Sequence, residues 1–218
     1  MELRDFEVFD LKPTASLTEV RAAYFERTSE PKFRKMFIGN SEIERQFKMI
    51  YEAYQSLLRY YSEKEDVDNM EYYPTDYVNK FLFNQGVYYL IKKDYIKAGE
   101  RFQRCYEMNK NDVLTILYLS HILIMRKNYY AAEKYLREGI KVDRDNYQLW
   151  FYLGETYYGA GNPKKALTMY NTAMTLNPDN RSEIVEKINK IKEESGKYDI
   201  KKKNFFQKIK DYLNKPDT

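Results

Sequence analysis

The pattern of apolar, small and polar positions repeats along the second half of the chain. Two sets of small residues each recur every 34 residues: Ala98, Ala132 and Ala166, and Gly86, Ser120 and Gly154. Such a period is typical of helical repeats. Antiparallel helices approach closely only where the facing side chains are small, so both sets predict helix–helix contacts. No strand pattern competes in this part of the chain, and the prediction is a stack of helical hairpins.

Polar turn residues divide this region at the places that hairpins require. The expected turns inside the three hairpins are Lys93-Asp94, Lys127-Asn128 and Gly161-Asn162-Pro163. Longer polar runs at 109–112, 143–146 and 177–180 separate one hairpin from the next. The sequence therefore predicts three repeats within 77–180, at 79–112, 113–146 and 147–180.

Helical patterning also occurs outside the repeats. Ile184, Ile188 and Ile191, with charged residues between them, predict an amphipathic helix within 181–195 that caps the last hairpin. Near the start of the chain, apolar residues at three- and four-residue steps predict another helix: Phe47, Ile50, Ala53, Tyr54 and Leu57. Ser16 or Thr18 can cap a helix that precedes it.

The last repeat resembles the tetratricopeptide repeat family. The residues at the family's signature offsets are Trp150, Leu153, Gly154, Tyr157, Gly161, Ala166, Tyr170, Ala173 and Pro178. The resemblance implies that the first helix of each hairpin lines a binding groove through its second, fifth, ninth and twelfth positions. These groove positions are Lys80, Phe83, Val87 and Leu90, then Leu114, Leu117, His121 and Ile124, and finally Gln148, Phe151, Glu155 and Tyr158.

The groove positions are largely apolar and lack the paired cations that members of the family use to hold chaperone tails. An apolar surface favours an apolar or amphipathic helical segment of a protein partner. The expected contact residues are Phe83, Val87, Leu90, Leu114, Leu117, His121, Ile124, Phe151, Glu155 and Tyr158. An alternative stays open, in which the amino-terminal hairpin or the carboxy-terminal helix of the same chain fills the groove.

Residues 1–61 resemble a J-domain, the module with which co-chaperones engage DnaK-type chaperones. The resemblance rests on residues 6–11, on 13–24 and on the apolar stripe from Phe47 to Leu57. It implies two antiparallel helices with a His-Pro-Asp tripeptide between them, which triggers the chaperone's ATPase. The corresponding stretch, residues 28–36, contains no such tripeptide. We therefore expect the helical hairpin without the co-chaperone activity.

Composition narrows the function further. The chain has 218 residues, of which 43% are hydrophobic, and it has no apolar run long enough to span a membrane. With a single cysteine, Cys105, a lone histidine, His121, and no glycine-rich phosphate loop, it offers no metal site, cofactor site or catalytic apparatus. The opening residues do not resemble a secretory signal. These features predict an all-α, non-enzymatic, cytoplasmic protein.

Charge is concentrated in a segment before the repeats and in the carboxy-terminal tail. The segment 62–76 is acidic, whereas 197–218 contains seven lysines and three aspartates and carries the whole net charge of +4. The basic tail predicts an amphipathic helix whose apolar contact residues are Phe205, Phe206, Ile209, Tyr212 and Leu213. A partner protein, an anionic inner-membrane surface and the repeats themselves are its open alternatives. No nucleic-acid-binding motif occurs, so nucleic acid is not expected as a partner.

These expectations describe an interaction adaptor or scaffold within a larger bacterial assembly, with envelope machines such as the flagellar motor as one context. Two alternatives remain. One is a secretion-type tetratricopeptide chaperone for an exported protein, and the other is a J-domain co-chaperone, which the missing tripeptide disfavours.

Overall fold

A computed structural model of the chain describes residues 4–33, 38–61, 75–177 and 182–194, and the secondary structure within these ranges is helical. The amino-terminal helices are α1 (Arg4–Glu7), α2 (Leu17–Thr28) and α3 (Ser41–Tyr60), with a 3₁₀ turn at Pro31–Phe33. The repeat helices are α4 (Thr75–Ile91), α5 (Tyr95–Met108), α6 (Val113–Met125), α7 (Tyr129–Val142), α8 (Tyr147–Gly159) and α9 (Pro163–Leu176). A further helix, α10, spans 182–194. The predicted all-α fold is confirmed.

The chain forms two compact units, Met1–Tyr135 and Leu136–Thr218. The boundary between them falls inside α7. The α2–α3 hairpin therefore belongs to the same unit as α4, α5 and α6. The second unit contains α8, α9 and α10.

The amino-terminal hairpin is held together by aromatic rings. Tyr24 of α2 stacks on Tyr54 of α3 with ring centroids 3.8 Å apart and planes only 5° from parallel. Phe33 in the 3₁₀ turn meets Phe47 edge-on at 5.4 Å. The apolar stripe predicted for α3 is buried. Ser16 caps α2, because its hydroxyl accepts the Glu19 N–H while the Glu19 carboxylate accepts the Ser16 N–H at 2.6 Å.

The first repeat helix begins earlier than the sequence pattern indicated. α4 begins at Thr75, two residues inside the predicted linker. Tyr77 accounts for the extra turn, because its ring meets the Phe25 ring edge-on at 4.7 Å and its hydroxyl lies 3.5 Å from the Tyr54 hydroxyl. Packing on the amino-terminal hairpin thus extends the helix beyond the repeat.

Turn chemistry repeats with the sequence period. The second helix of each hairpin starts at an N-cap side chain, and Asp94, Asn128 and Asn162 accept a backbone N–H at 3.2, 3.3 and 3.1 Å. The residue before each cap has a left-handed backbone, with φ of 62° at Lys93, 59° at Lys127 and 75° at Gly161. Only the third turn places glycine where that conformation costs least.

The repeat cores follow the small residues. Ala98, Ala132 and Ala166 are fully buried, and a Cβ on Gly86 would stand only 2.9 Å from the Phe102 ring. In α10, Ile184, Ile188 and Ile191 are buried, as expected of a capping helix. Trp150 differs from a core residue: it is only half-buried, and its indole N–H donates to the Arg144 carbonyl at 2.8 Å.

Candidate functional site

Burial divides the predicted groove residues of the first unit into two groups. Val87, Leu90 and Leu117 are 0%, 4% and 1% exposed, so their side chains belong to the core and present no surface to a partner. Four others keep part of their surface: Phe83, Leu114, His121 and Ile124. The part of the predicted groove that remains accessible is therefore smaller than the sequence pattern suggested.

A cavity of about 350 Å³ lies in the first unit, between the amino-terminal hairpin and the first helices of two repeats. Its lining residues are Thr28, Ser29, Phe33, Asn79, Lys80, Phe83, Asn84, Asp112 and Leu114. Three of these, Lys80, Phe83 and Leu114, occupy groove positions. Its volume falls at the lower end of the range of ligand pockets, roughly 300–1,000 Å³.

The amino-terminal hairpin, which the sequence offered as one occupant of the groove, supplies a wall of this cavity. Thr28, Ser29 and Phe33 come from the end of α2 and the 3₁₀ turn that follows it. Phe33 is 3% exposed although charged residues surround it in the sequence. Its burial did not follow from helical periodicity, because Phe33 lies in a short turn between two helices.

A polar contact joins the two sides of the cavity. Asn84, which is 5% exposed, donates from Nδ2 to the Thr28 hydroxyl at 3.1 Å, and that hydroxyl donates to the Tyr24 carbonyl at 3.0 Å. A buried amide is retained at low cost only where it is hydrogen-bonded. Asn84 therefore fixes the end of α2 against α4.

The two charged residues that line the cavity, Asp112 and Lys80, differ in the hydrogen bonds and ion pairs that they make. Asp112 caps α6: one carboxylate oxygen accepts the Leu114 N–H at 3.2 Å and the other accepts the Thr115 hydroxyl at 2.5 Å. The Lys80 ammonium is exposed and has no ion pair or hydrogen bond within the described part of the chain. Considering the described residues alone, the cavity thus offers a cation that can pair with a ligand anion.

The α2–α3 hairpin packs on α4 largely through aromatic side chains. Tyr51 of α3 stacks on Tyr88 of α4 at 4.2 Å, with an angle of 20° between the planes. The Tyr88 hydroxyl donates to Glu52 at 3.1 Å, and Lys92 lies 3.5 Å from the same carboxylate. Burial, reinforced by the Glu52 carboxylate, raises the pKa of Tyr88.

In the second unit, the predicted groove residues Glu155 and Tyr158 bond to α10. Lys187 donates to Glu155 at 2.9 Å, and the Tyr158 hydroxyl donates to Glu194 at 2.8 Å. Glu155 also accepts the Tyr170 hydroxyl. Burial, and then the Glu155 charge, raises the pKa of Tyr170 above its usual range. The capping helix therefore satisfies the polar groups at this end of the repeats, while Phe151 remains half-buried.

The remaining candidate groups offer no chemistry beyond packing. Burial raises the pKa of the Cys105 thiol to about 12, and its Sγ lies 3.6 Å from the Asn79 carbonyl oxygen. Among the described residues, no group of three or more histidine, cysteine or acidic side chains could hold a metal ion. Over the same residues, no helix is both long and apolar enough to span a bilayer. The predicted tail contacts lie outside the described residues: Phe205, Phe206, Ile209, Tyr212 and Leu213.

Comparisons with known proteins identify the last repeat by sequence and the wider fold by structure. The family profile of the tetratricopeptide repeat matches residues 147–180. No curated protein sequence matches the chain significantly. The profile identifies one tetratricopeptide repeat, formed by α8 and α9, and the solved structures described next share the fold of the helical hairpins.

Three solved structures share this fold at low sequence identity. MamA residues 41 to the end, from Desulfovibrio magneticus RS-1, is 13% identical with a TM-score of 0.53, over 92% of this chain and 100% of that one. The first repeat domain of human RPAP3 is 16% identical with a TM-score of 0.50, over 53% and 90%. The first repeat domain of Spaghetti, bound to the HSP90 peptide SRMEEVD, is 15% identical with a TM-score of 0.51, over 54% and 93%.

Proposed function

We propose that this chain is a non-enzymatic adaptor that binds an apolar or amphipathic segment of a protein partner at the groove positions of its repeats. The cavity between the hairpin, α4 and α6 carries the proposal, because it leaves apolar side chains at groove positions open beside Lys80, which has no partner in the described part of the chain. Phe83, Leu114 and Ile124 supply the apolar surface that remains accessible. Burying such surface contributes roughly 25 cal/mol per Å² before ordering costs.

Peptide binding by a similarly folded domain supports this proposal. The Spaghetti repeat domain holds an acidic chaperone peptide. The groove positions of this chain, however, contain one lysine in the first repeat and none in the second or third. We therefore propose a segment in which apolar side chains supply most of the contact.

Selection from a displayed library of short random peptides against the full chain tests the proposal. We expect enrichment of peptides with apolar residues at helical spacing, and we expect Leu114→Glu or Ile124→Glu to weaken their binding by about tenfold or more. The matched control is Ile96→Glu, at an apolar residue of α5 that is 67% exposed and does not line the cavity. Failure to enrich any peptide, or indifference to both groove variants, would contradict the adaptor function.

The J-domain resemblance leads to a separate proposal, that the hairpin does not act as a co-chaperone. The turn after α2 contains Phe33, packed on Phe47, in the region where J-domains place their His-Pro-Asp tripeptide. The full chain should leave the ATPase rate of a DnaK-type chaperone unchanged in an assay where an authentic J-domain stimulates it. Clear stimulation by the chain would overturn this proposal.

The basic tail is proposed as a second contact, with a partner protein or an anionic membrane surface. Its lysines and apolar residues at helical spacing support this assignment. Deletion of 197–218 should reduce co-sedimentation with anionic lipid vesicles if the tail contacts membranes. Equal sedimentation of both chains would exclude the membrane and leave a partner protein or the repeats of the same chain as the contact. An assembly at the bacterial envelope is the proposed context for the adaptor, and a secretion-type chaperone for an exported protein is the alternative function.

A further inference from the structure

We propose that the cavity is a composite site, formed jointly by the amino-terminal hairpin and the first two repeats, for a protein segment with one large apolar side chain beside a carboxylate. This inference rests on the adaptor function and adds to it the place of binding and the chemistry of the partner. It also gives the hairpin a direct role in recognition.

The shape of the lining selects the apolar part of the ligand. Phe83 of α4 and Leu114 of α6 contribute apolar surface to one space of about 350 Å³, which the nearly buried Phe33 also borders. This volume lies within the range of ligand pockets, roughly 300–1,000 Å³. A single aromatic or branched aliphatic side chain, with part of its own backbone, fits a space of this size.

The charges of the lining select the polar part. Asp112 already accepts two hydrogen bonds as the cap of α6, whereas Lys80 has no partner among the described residues. A ligand carboxylate near the apolar side chain would pair with Lys80 and would gain a charge-assisted hydrogen bond. A ligand cation would meet the same ammonium and would be repelled.

The hairpin is held firmly enough to act as a wall. Tyr51 stacks on Tyr88, Phe25 meets Tyr77 edge-on, and Asn84 bonds to Thr28 beside the cavity. A ligand that touches Thr28 and Ser29 on one side and Phe83 on the other bridges the two parts. Its binding should therefore stabilise the contact between them, because it binds only when both walls are in place.

Two variants of the full chain test this site with the displayed peptide library. Lys80→Glu should exchange the selected acidic residue for lysine or arginine beside the apolar position. Ser29→Trp should fill the cavity and weaken the peptides selected on the wild type by about tenfold or more. The controls are Lys110→Glu and Ser41→Trp, at exposed positions that do not line the cavity. All variants are first checked for an unchanged thermal melting curve.

Hydrogen exchange provides the readout for the hairpin. A saturating selected peptide should slow amide exchange in α2 as well as in α4, whereas slowing in α4 alone would show that the hairpin takes no part. Peptides that respond to Ile124→Glu but to neither Lys80→Glu nor Ser29→Trp would overturn the composite site and leave the adaptor function intact. Absence of any selected peptide would overturn both.

Discussion

The ring of Tyr170 lies directly against the backbone of Gly154, so a Cβ at that glycine would stand 2.6 Å from the Tyr170 Cε1 atom. Real Cβ atoms do not approach other atoms so closely, and a helix interior otherwise prefers alanine to glycine by about 1 kcal/mol. Glycine is therefore required at position 154 by the neighbouring Tyr170 ring and not by the helix that contains it.

We expect Gly154→Ala to destabilise the second unit by about 1–3 kcal/mol, because the added methyl group overpacks the contact with Tyr170. Chemical denaturation measures the loss. The second repeat has Ser120 and Leu136 at the corresponding positions, so Tyr170→Leu should recover part of the loss in the double variant. Gly99→Ala is the matched control: its Cβ would meet Ile122 at an ordinary 3.7 Å, and it should stabilise the chain by about 0.5–1 kcal/mol. Equal effects at both glycines would contradict this account.

The left-handed turns offer a second comparison. Lys127 has φ of 59° and Gly161 has φ of 75° at corresponding repeat positions. Lys127→Gly should raise the free energy of unfolding by up to about 1 kcal/mol, because glycine adopts this conformation without steric cost. Gly161→Ala should lower it by a similar amount, about 1 kcal/mol. Denaturant midpoints report both changes, and Lys110→Gly, where the backbone is not left-handed, should bring no gain. A loss of stability in Lys127→Gly would be inconsistent with strain at this turn.

The stacked pair Tyr51 and Tyr88 predicts that the hairpin and the first repeat unfold together. Tyr88→Ala should destabilise the first unit by about 2–3 kcal/mol and accelerate amide exchange in both α3 and α4. Hydrogen exchange followed by mass spectrometry distinguishes the two helices. Tyr130→Ala, at a side chain that is 85% exposed, should change stability by less than about 0.5 kcal/mol. Faster exchange confined to α4 would show instead that the hairpin is an independent domain.

Alkaline pH provides a test of the buried phenol. The pKa of Tyr170 is raised in the folded chain above the ordinary phenol value of 10.0, so the stability that this neutral phenol contributes is present below about pH 10 and is lost as the pH rises further. Tyr170→Phe should make the decline of unfolding free energy above pH 10 shallower by up to about 1.4 kcal/mol per pH unit. Denaturation series between pH 9 and 11 measure this slope. Tyr130→Phe should leave it unchanged, and an identical slope in Tyr170→Phe would refute the assignment.

Sequence by itself determined what depends on neighbours along the chain or on the repeat period. The caps Asp94 and Asn162 bond to amides three residues away, and the buried alanines follow from the spacing of 34 residues. Helix periodicity likewise predicted the buried stripe of α3 and the isoleucines of α10. Such features need no knowledge of distant contacts.

Only the tertiary structure decided which groove positions stay open. All four of these residues are apolar and occupy predicted groove positions: Val87, Leu117, Phe83 and Leu114. Val87 and Leu117 are nevertheless buried in the core, whereas Phe83 and Leu114 line a cavity. Exposure depends on which helices pack against a position, and a period of one repeat carries no information about the hairpin that precedes it. The Lys187 to Glu155 ion pair spans 32 residues and was hidden for the same reason. The site is therefore defined by the α2–α3 hairpin that lies outside the repeats, because that hairpin supplies one of its walls.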